Sequence, residues 1–351
     1  MPVNEAETWV VGLTMSCLPP LPRVPLNPIH DESTLPVLTT GTPDANPPAD
    51  QWSEWLLRGR HGGDPNHEPV IRAMVQRIRD RVLDGAALSD GMVLVDVGAG
   101  DGLVAFGAFE RVPSLLAVLT DVSAPLLNRA KECALERGVR DHCTFLQTAA
   151  ERLDGVADES ADVVTTRSVL AYVADKAAAA RQFHRVLKTG GRISIAEPIY
   201  QDAAVQLAGL TNALLARPDD AITAQARLLQ RCRAVQLPST MAEIQGNPLT
   251  NFTERDLIVL FQKVGFTEIH LELHIDIRKG AAVPWDTFID KAPRPGAPSL
   301  RAVFASHLSD ADRRQLEADL RPLVESGRHT ERDAIAYLTA VKPGGKSTAN
   351  G

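Results

Sequence analysis

No stretch of this chain approaches the roughly 20 consecutive apolar residues that a membrane-spanning helix requires. Cysteine is scarce. Cys17, Cys133, Cys143 and Cys232 stand alone, with no CxxC pair, which argues against a disulfide scaffold and against a zinc ribbon. No His/Cys/acid cluster with metal-ligand spacing stands out either, so no metal is expected. Blocks of like charge are missing too. The net charge is −7, and residues 1–50 set Arg23 against six acids while the remainder is nearly neutral. Without a basic stripe to exchange counterions along phosphates, a nucleic-acid partner is disfavoured. Nor is there a secretory leader: Glu5 and Glu7 stand where a basic segment belongs, and the apolar run over 10–13 is too short. A cytoplasmic location, with no membrane partner, is the expectation.

What is present is 351 residues, 44 % hydrophobic and 23 % charged. That suits two domains or one enlarged one, with a core that needs no covalent staples. Ten of the 24 prolines fall within residues 1–50. Proline fixes φ and removes a donor, so this segment is predicted as an irregular arm. From residue 51 the pattern changes. Trp52, Trp55 and Leu56 recur at i, i+3, i+4 in a short helix over 51–58. A loop over 59–66 follows, then a helix over 68–83.

Between 92 and 196, strands alternate with helices. Residues 92–97 form a continuous apolar run ending in glycines, as in a strand buried on both faces. Further strands are predicted at 115–120, 143–147, 161–165 and 191–196, with helices at 124–136 and 176–187. Parallel strands need such crossovers, so the fold class is α/β, a doubly wound sheet. Residues 199–250 read as helical (203–216 and 221–235) and interrupt the alternation. A helix over 253–264 and a strand over 267–277 resume it. A second interruption over 285–332 holds a charged helix at 309–325, and a strand at 334–341 completes seven.

The strongest local signal is VLVDVGAGDG, residues 93–102. Glycines at a strand end let the backbone turn tightly and approach a ligand. A dinucleotide fold wants GxGxxG, whose third glycine would fall at Leu103. The order here is instead Asp96, Gly98, Gly100, Gly102, with Ala99 between the first two glycines. Asp121, in LTDVS with Val122 after it, ends the second strand 25 residues beyond Asp96. A carboxylate there can accept from both hydroxyls of a ribose. AERL (150–153) follows the third strand, ADVVTTRSVLAYV (161–173) spans the fourth, and RVLKTGGRISIAEP (185–198) leads through the fifth.

In this order and spacing the five segments resemble class I S-adenosylmethionine-dependent methyltransferases, roughly over residues 50–198 and more weakly over 250–342. The resemblance implies a Rossmann-like seven-stranded sheet with helical insertions after strand five and between the last two strands. It implies S-adenosylmethionine as cofactor, with Asp96, Gly98, Ala99 and Gly100 at its methionine end. Asp121 and Val122 would meet the ribose and ring, and Ala150 and Glu151 would wrap the adenine. Thr189 replaces the family's usual proline in RVLKPGG. Ala149 stands where the family often has an acidic residue, which removes a side-chain bond to the adenine amino group and leaves backbone groups and apolar packing to hold the ring. The implied organisation is an arm (1–50), a cofactor-binding core (51–198), a helical lid (199–250), the rest of the core with its own insertion (251–342, inserted at 285–332) and a flexible tail (343–351).

The carboxyl ends of parallel strands face the ligand crevice. That places Arg167, Ser168 and Tyr172 after strand four, and Glu197 and Tyr200 after strand five, at the reaction centre. Glu197 is the first candidate for orienting the acceptor or taking its proton; capping a backbone amide or pairing with an arginine is the alternative. Tyr172 is a cavity wall or a catalyst. Arg167 contacts the cofactor, an anionic acceptor or a salt-bridge partner. His61, in the loop RGRHGGDPNH, could serve as a base, since its ordinary pKa is about 6.5, or be a plain surface histidine. Trp52 and Trp55 either pack under that loop or wall the pocket, and helical spacing favours packing. His184 reads as structural. Apolar residues of the lid would line a pocket for a hydrophobic molecule, or pack on the second insertion, or form the interface of a homodimer. The activity expected is methyl transfer to a small, hydrophobic acceptor by in-line displacement. Two alternatives remain: metalloid methylation through converging thiolates, and a non-catalytic protein that keeps the cofactor fold for binding or assembly.

Overall fold

The computed structural model of the chain describes residues 48–216 and 221–344. The arm up to residue 47, with Cys17, and the tail from 345 lie outside the described residues. A short helix α1 (Gln51–Leu57) comes first. It is started by a capping box: the Asp50 carboxylate accepts from the N–H groups of Trp52 and Ser53, and the Asp50 N–H donates back to the Ser53 hydroxyl. Helix α2 (Glu68–Ala86) follows, with proline in its first turn, where no intrahelical donor is lost. Then β1 (Val93–Val97), α3 (Leu103–Arg111), β2 (Leu116–Asp121), α4 (Ala124–Glu136), β3 (Cys143–Gln147), β4 (Ala161–Arg167), α5 (Lys176–Val186) and β5 (Leu187–Pro198) alternate. Four helices precede β6 (Thr267–Lys279): α6 (Tyr200–Leu215), α7 (Ala221–Gln236), α8 (Met241–Gly246) and α9 (Glu254–Val264). Three more, α10 (Trp285–Asp290), α11 (Leu300–His307) and α12 (Asp310–Glu325), separate it from β7 (Thr330–Val341).

The seven strands form one sheet in the order β3-β2-β1-β4-β5-β7-β6. Strands β1 to β5 pair in parallel; β7 runs antiparallel to both of its neighbours. Strand order reverses between β1 and β4, which opens a crevice at their carboxyl ends. Strand β5 begins earlier than the predicted 191, because Leu187 already pairs with Ala161. A register shift between Ala161 and Val163 then absorbs the intervening turn.

Each face of the sheet has its own core. One buries Phe183, Ile193, Ile195 and Phe261 beneath α5 and α9; the other buries Leu94, Ala105, Leu119 and Val82 beneath α2, α3 and α4. The two insertions build a third. Cys232, Trp285, Ile289, Phe304, Leu316 and Val324 close on one another, with Leu228 and Leu229 of α7 against them. On α6, Leu207, Leu210 and Leu214 are buried together against Leu237. The apolar stripes of the lid are thus packed against one another and against the second insertion among the described residues. No described helix is long and apolar enough to cross a membrane.

Phe183 has no exposed surface and sits at the centre of the α5 side. Phe183→Ala is expected to cost about 3–5 kcal/mol, through lost burial and the cavity left behind. Denaturant unfolding would register this as a lower midpoint with an unchanged slope.

Candidate functional site

A cavity of about 280 Å³ lies at the carboxyl ends of β1, β2 and β4. Its floor is the turn from β1 into α3. Gly98 and Gly102 have φ of 64° and 86°, conformations that L side chains rarely adopt. A Cβ at Gly98 would collide with the Val169 side chain, and one at Gly102 with the Phe106 ring. The backbone therefore lies bare toward the cavity. Ala99 N–H donates to Thr120 O at 2.9 Å, which pins the turn to β2. Asp96, 1 % exposed, accepts from Ala105 N–H at 3.2 Å and from the Thr165 hydroxyl at 3.0 Å. Burial pushes its carboxyl up to about 7, against the pull of those two donors.

Asp121 ends β2 at the cavity wall. One carboxylate oxygen accepts from Gly100 N–H at 2.8 Å and the other from Ser123 N–H at 2.8 Å. Burial raises its pKa, and the two N–H donors oppose the rise. A carboxylate offers about four acceptor sites, so about two are left for a ligand. Beside it the exposed Val122 and the segment Thr148–Glu151 form a slot. The Thr148 hydroxyl accepts from Asp154 N–H at 3.0 Å, so with Ala149 next to it the slot presents backbone and methyl groups to a ring.

Part of the cavity wall is aromatic. Trp52, Trp55, Tyr172 and Tyr200 all line the cavity. Trp52 meets Tyr172 edge to face at 5.2 Å. The hydroxyls of Tyr172 and Tyr200 are 2.7 Å apart. Burial raises both phenol pKa values, so both hydroxyls keep their protons at neutral pH. Trp55 donates its indole N–H to Ala292 O at 2.9 Å, Ala292 N–H donates to Gly59 O at 2.9 Å, and the Thr287 hydroxyl donates to Asp64 at 2.7 Å. These bonds strap the second insertion across α1 and set Pro295 into the wall.

The cofactor candidates Asp96, Gly98, Ala99, Gly100, Asp121, Val122, Ala150, Glu151 and Arg167 all line this one cavity. So does Tyr172. Two other candidates do not. Glu197 is wholly buried: it accepts from the Thr166 hydroxyl at 2.9 Å, from Val169 N–H at 3.1 Å and from Ala171 N–H at 3.1 Å. Burial raises its pKa against the pull of these donors, and it does not line the cavity. Its role is to shape the loop after β4. His61 is also buried, with Nε2 2.9 Å from Leu57 O; the strap holds it inside the protein. The preference for packing at Trp52 and Trp55 is corrected as well, since both wall the cavity.

Sequence reasoning missed Val169, Pro295 and Arg60. Val169 and Pro295 carry no chemical signal. Arg60 precedes the candidate His61 and is not among the residues lining the cavity. Its Nε is buried without a partner. Burial lowers its pKa, and it feels both Asp101 in the glycine turn and Arg167. Arg167 forms no ion pair with any described residue. An orphaned guanidinium nitrogen, an unpaired arginine and bare glycine backbone suit the carboxylate end of an amino-acid ligand. Asp121 and the slot suit a ribose and its base. The residues present therefore fit S-adenosylmethionine. The metalloid alternative fares worse: burial pushes the Cys143 and Cys232 thiols up to about 11, in separate cores. No group of His, Cys, Asp or Glu among the described residues is arranged to hold a metal ion.

Residues 88–251 match a family model described as a methyltransferase domain. Among curated proteins, tRNA 5-carboxymethoxyuridine methyltransferase of Escherichia coli K12 is 32 % identical over 124 residues, 35 % of this chain and 46 % of that one. A ubiquinone/menaquinone biosynthesis C-methyltransferase of Hahella chejuensis is 33 % identical over 117 residues, 33 % and 46 % of the two chains. Nocamycin O-methyltransferase of Saccharothrix syringae is 36 % identical over 125 residues, 34 % and 42 %. The chain spans about half the length of the curated relatives it matches. Among solved structures, the YcgJ protein of Bacillus subtilis aligns with a TM-score of 0.47 and 20 % identity, over 77 % of this chain and 99 % of that one.

Asp96 gives this site a pH signature. Its folded pKa lies near 7, above the roughly 3.9 of an unfolded aspartate. Its contribution to stability is therefore fully present below about pH 4 and is lost as pH rises through about 7. Asp96→Asn is expected to flatten that loss, as read by urea unfolding between about pH 5 and 8.

Proposed function

We propose that the chain is a class I S-adenosylmethionine-dependent methyltransferase, a reading that the match of residues 88–251 to a methyltransferase-domain model supports, and that it transfers a methyl group to a small, hydrophobic acceptor. The observation that carries the reading is one cavity shared by the bare glycine turn, the partly unsatisfied Asp121 carboxylate and an aromatic end. When bound, S-adenosylmethionine supplies a methyl group that is already electrophilic. The chain's tasks are then to hold and to orient. The turn from Asp96 to Gly102 and Arg60 with Arg167 hold the amino-acid end. Asp121 accepts from the ribose hydroxyls, and Val122 with Ala149 and Ala150 sandwiches the base. Positioning of two reactants is itself worth many powers of ten in rate.

Trp52, Trp55, Tyr172 and Tyr200 form the acceptor wall. Among the described residues no carboxylate or imidazole stands among these rings, since Glu197 and His61 are buried and turned to other partners. The paired tyrosine hydroxyls orient the acceptor through hydrogen bonds, and the acceptor must be nucleophilic without strong deprotonation. By their names the relatives are a C-methyltransferase, an O-methyltransferase and a tRNA 5-carboxymethoxyuridine methyltransferase, but Trp52, Trp55 and Pro295 lie outside the matched segment. They support a preference of this chain's own for a flat, apolar molecule. RNA is the competing acceptor and belongs in the same screen.

Calorimetric titration with S-adenosylmethionine and S-adenosylhomocysteine tests the cofactor half; micromolar binding of both is expected, and failure of both to bind would overturn the reading. Asp121→Ala is expected to weaken that binding by roughly 1.5–3 kcal/mol, the size of hydrogen bonds to a charged group. Tyr172→Phe and Tyr200→Phe should leave cofactor affinity nearly unchanged and lower turnover by about ten- to a hundredfold, as misplaced reactants do. Turnover kinetics on the acceptor found by screening phenols, amines, prenyl-like compounds and RNA would check this.

A further inference from the structure

Strand β6 is the outer strand of the sheet, 13 residues long, and among the described residues no strand pairs with its outer edge. Edges of this length are usually blunted or covered, because unpaired backbone groups invite another strand. Here no residue of the strand is buried. On one face Leu273, Ile275 and Ile277 are 37 %, 43 % and 48 % exposed. The core beneath α9 reaches only Ile269 and Leu271. The other face carries His270, Glu272, His274, Asp276 and Arg278. There α2 touches the strand through long side chains, Arg81 to Glu272 and Met74 to Arg278.

The strand's sequence is self-complementary about Leu273. Laid antiparallel on a copy of itself with Leu273 opposite Leu273, it sets His270 against Asp276, Leu271 against Ile275 and Glu272 against His274, each pair formed twice. Ile269 then opposes Ile277, and Glu268 opposes Arg278. Every apolar residue meets an apolar one, and every acid meets a base or an imidazole. Directly opposed strand neighbours on one face are the pairs that stabilise a sheet. The regular ladder starts at His270, after the register shift that follows Thr267, with Glu268 at φ 50°. The seven residues 270–276 therefore form its straight centre.

We propose that β6 is a self-association edge, where two copies of this chain join their sheets antiparallel across a twofold axis at Leu273. Such an isologous contact closes on itself and cannot propagate into a fibre. Glu272 already accepts from Arg81, His270 and His274, and Arg278 binds Glu331 and Asp333. The polar face is thus pre-ordered within each copy before it meets the other. The helical insertions, the expected dimer face, bury their apolar residues against each other.

Sedimentation equilibrium of the full chain in the micromolar range should give twice the monomer mass. Leu273→Lys puts two ammonium groups on the axis and should weaken the dimer about tenfold or more, with a thermal melt showing that the protein remains folded. Register is tested by cross-linking in a Cys17→Ser background, since Cys133, Cys143 and Cys232 are buried. Leu273→Cys chains should couple to themselves under mild oxidation. Ile275→Cys chains should couple to Leu271→Cys chains and not to themselves. A wild-type monomer would overturn the proposal, as would a dimer indifferent to Leu273→Lys. A dimer lost in Leu273→Lys but never cross-linked through Leu273→Cys would overturn the register.

Discussion

A carboxylate with no access to water organises the site. Glu197, at the end of β5, collects the Thr166 hydroxyl and the N–H groups of Val169 and Ala171. Burying an acid without partners would cost several kcal/mol; with three donors the charge-assisted bonds offset that cost and fix the loop after β4 in one shape. That shape presses Val169 onto the glycine turn and presents Tyr172 to the cavity. The same residue thus defines where the turn of β1 ends and where the aromatic wall begins, without touching either ligand.

Around that joint the two halves of the cavity have different origins. The half that fits the cofactor is made by the sheet itself, from the ends of β1, β2 and β4, where strand order reverses. Its geometry follows from main-chain turns and one carboxylate, Asp121. The aromatic part is assembled from distant segments: α1 before the sheet, Tyr172 in the turn after β4, Tyr200 at the start of α6, and Pro295 in the second insertion. The strap from Trp55 to Ala292 and from Gly59 to Ala292 joins these pieces. Insertions that pack on each other in a third core can vary without disturbing the sheet. Of the aromatic wall, Trp52, Trp55 and Pro295 lie outside the matched residues 88–251, whereas Tyr172 and Tyr200 lie inside them.

The two misplaced candidates share a physical cause. Glu197 and His61 are natural candidates because acid and imidazole groups near a crevice are suited to moving protons. Proximity along the chain does not say which way a side chain turns. Both turn inward, toward unsatisfied backbone groups, which a polar side chain near a strand end or a tight turn meets first. The tryptophans erred in the opposite sense. Their helical spacing suits packing, yet one face of α1 is the roof of the cavity.

Short windows of the sequence were enough to place the sheet, the glycine turn and the two acids Asp96 and Asp121 that line the cavity, because these are local. Strand periodicity, a βα turn with its glycines, and an acid one strand further on are all written in short windows and recur in fixed order. Strand β3 and helix α4 stand on the residues that the pattern names. Long-range packing sets what closes the cavity, which polar groups are left with free valences and, among the described residues, which strand edge has no partner. Trp55 and Ala292 are 237 residues apart, and no window joins them. Whether Arg60 is satisfied, or Leu273 covered, depends on the packing of every neighbouring element, a sum that no single segment contains.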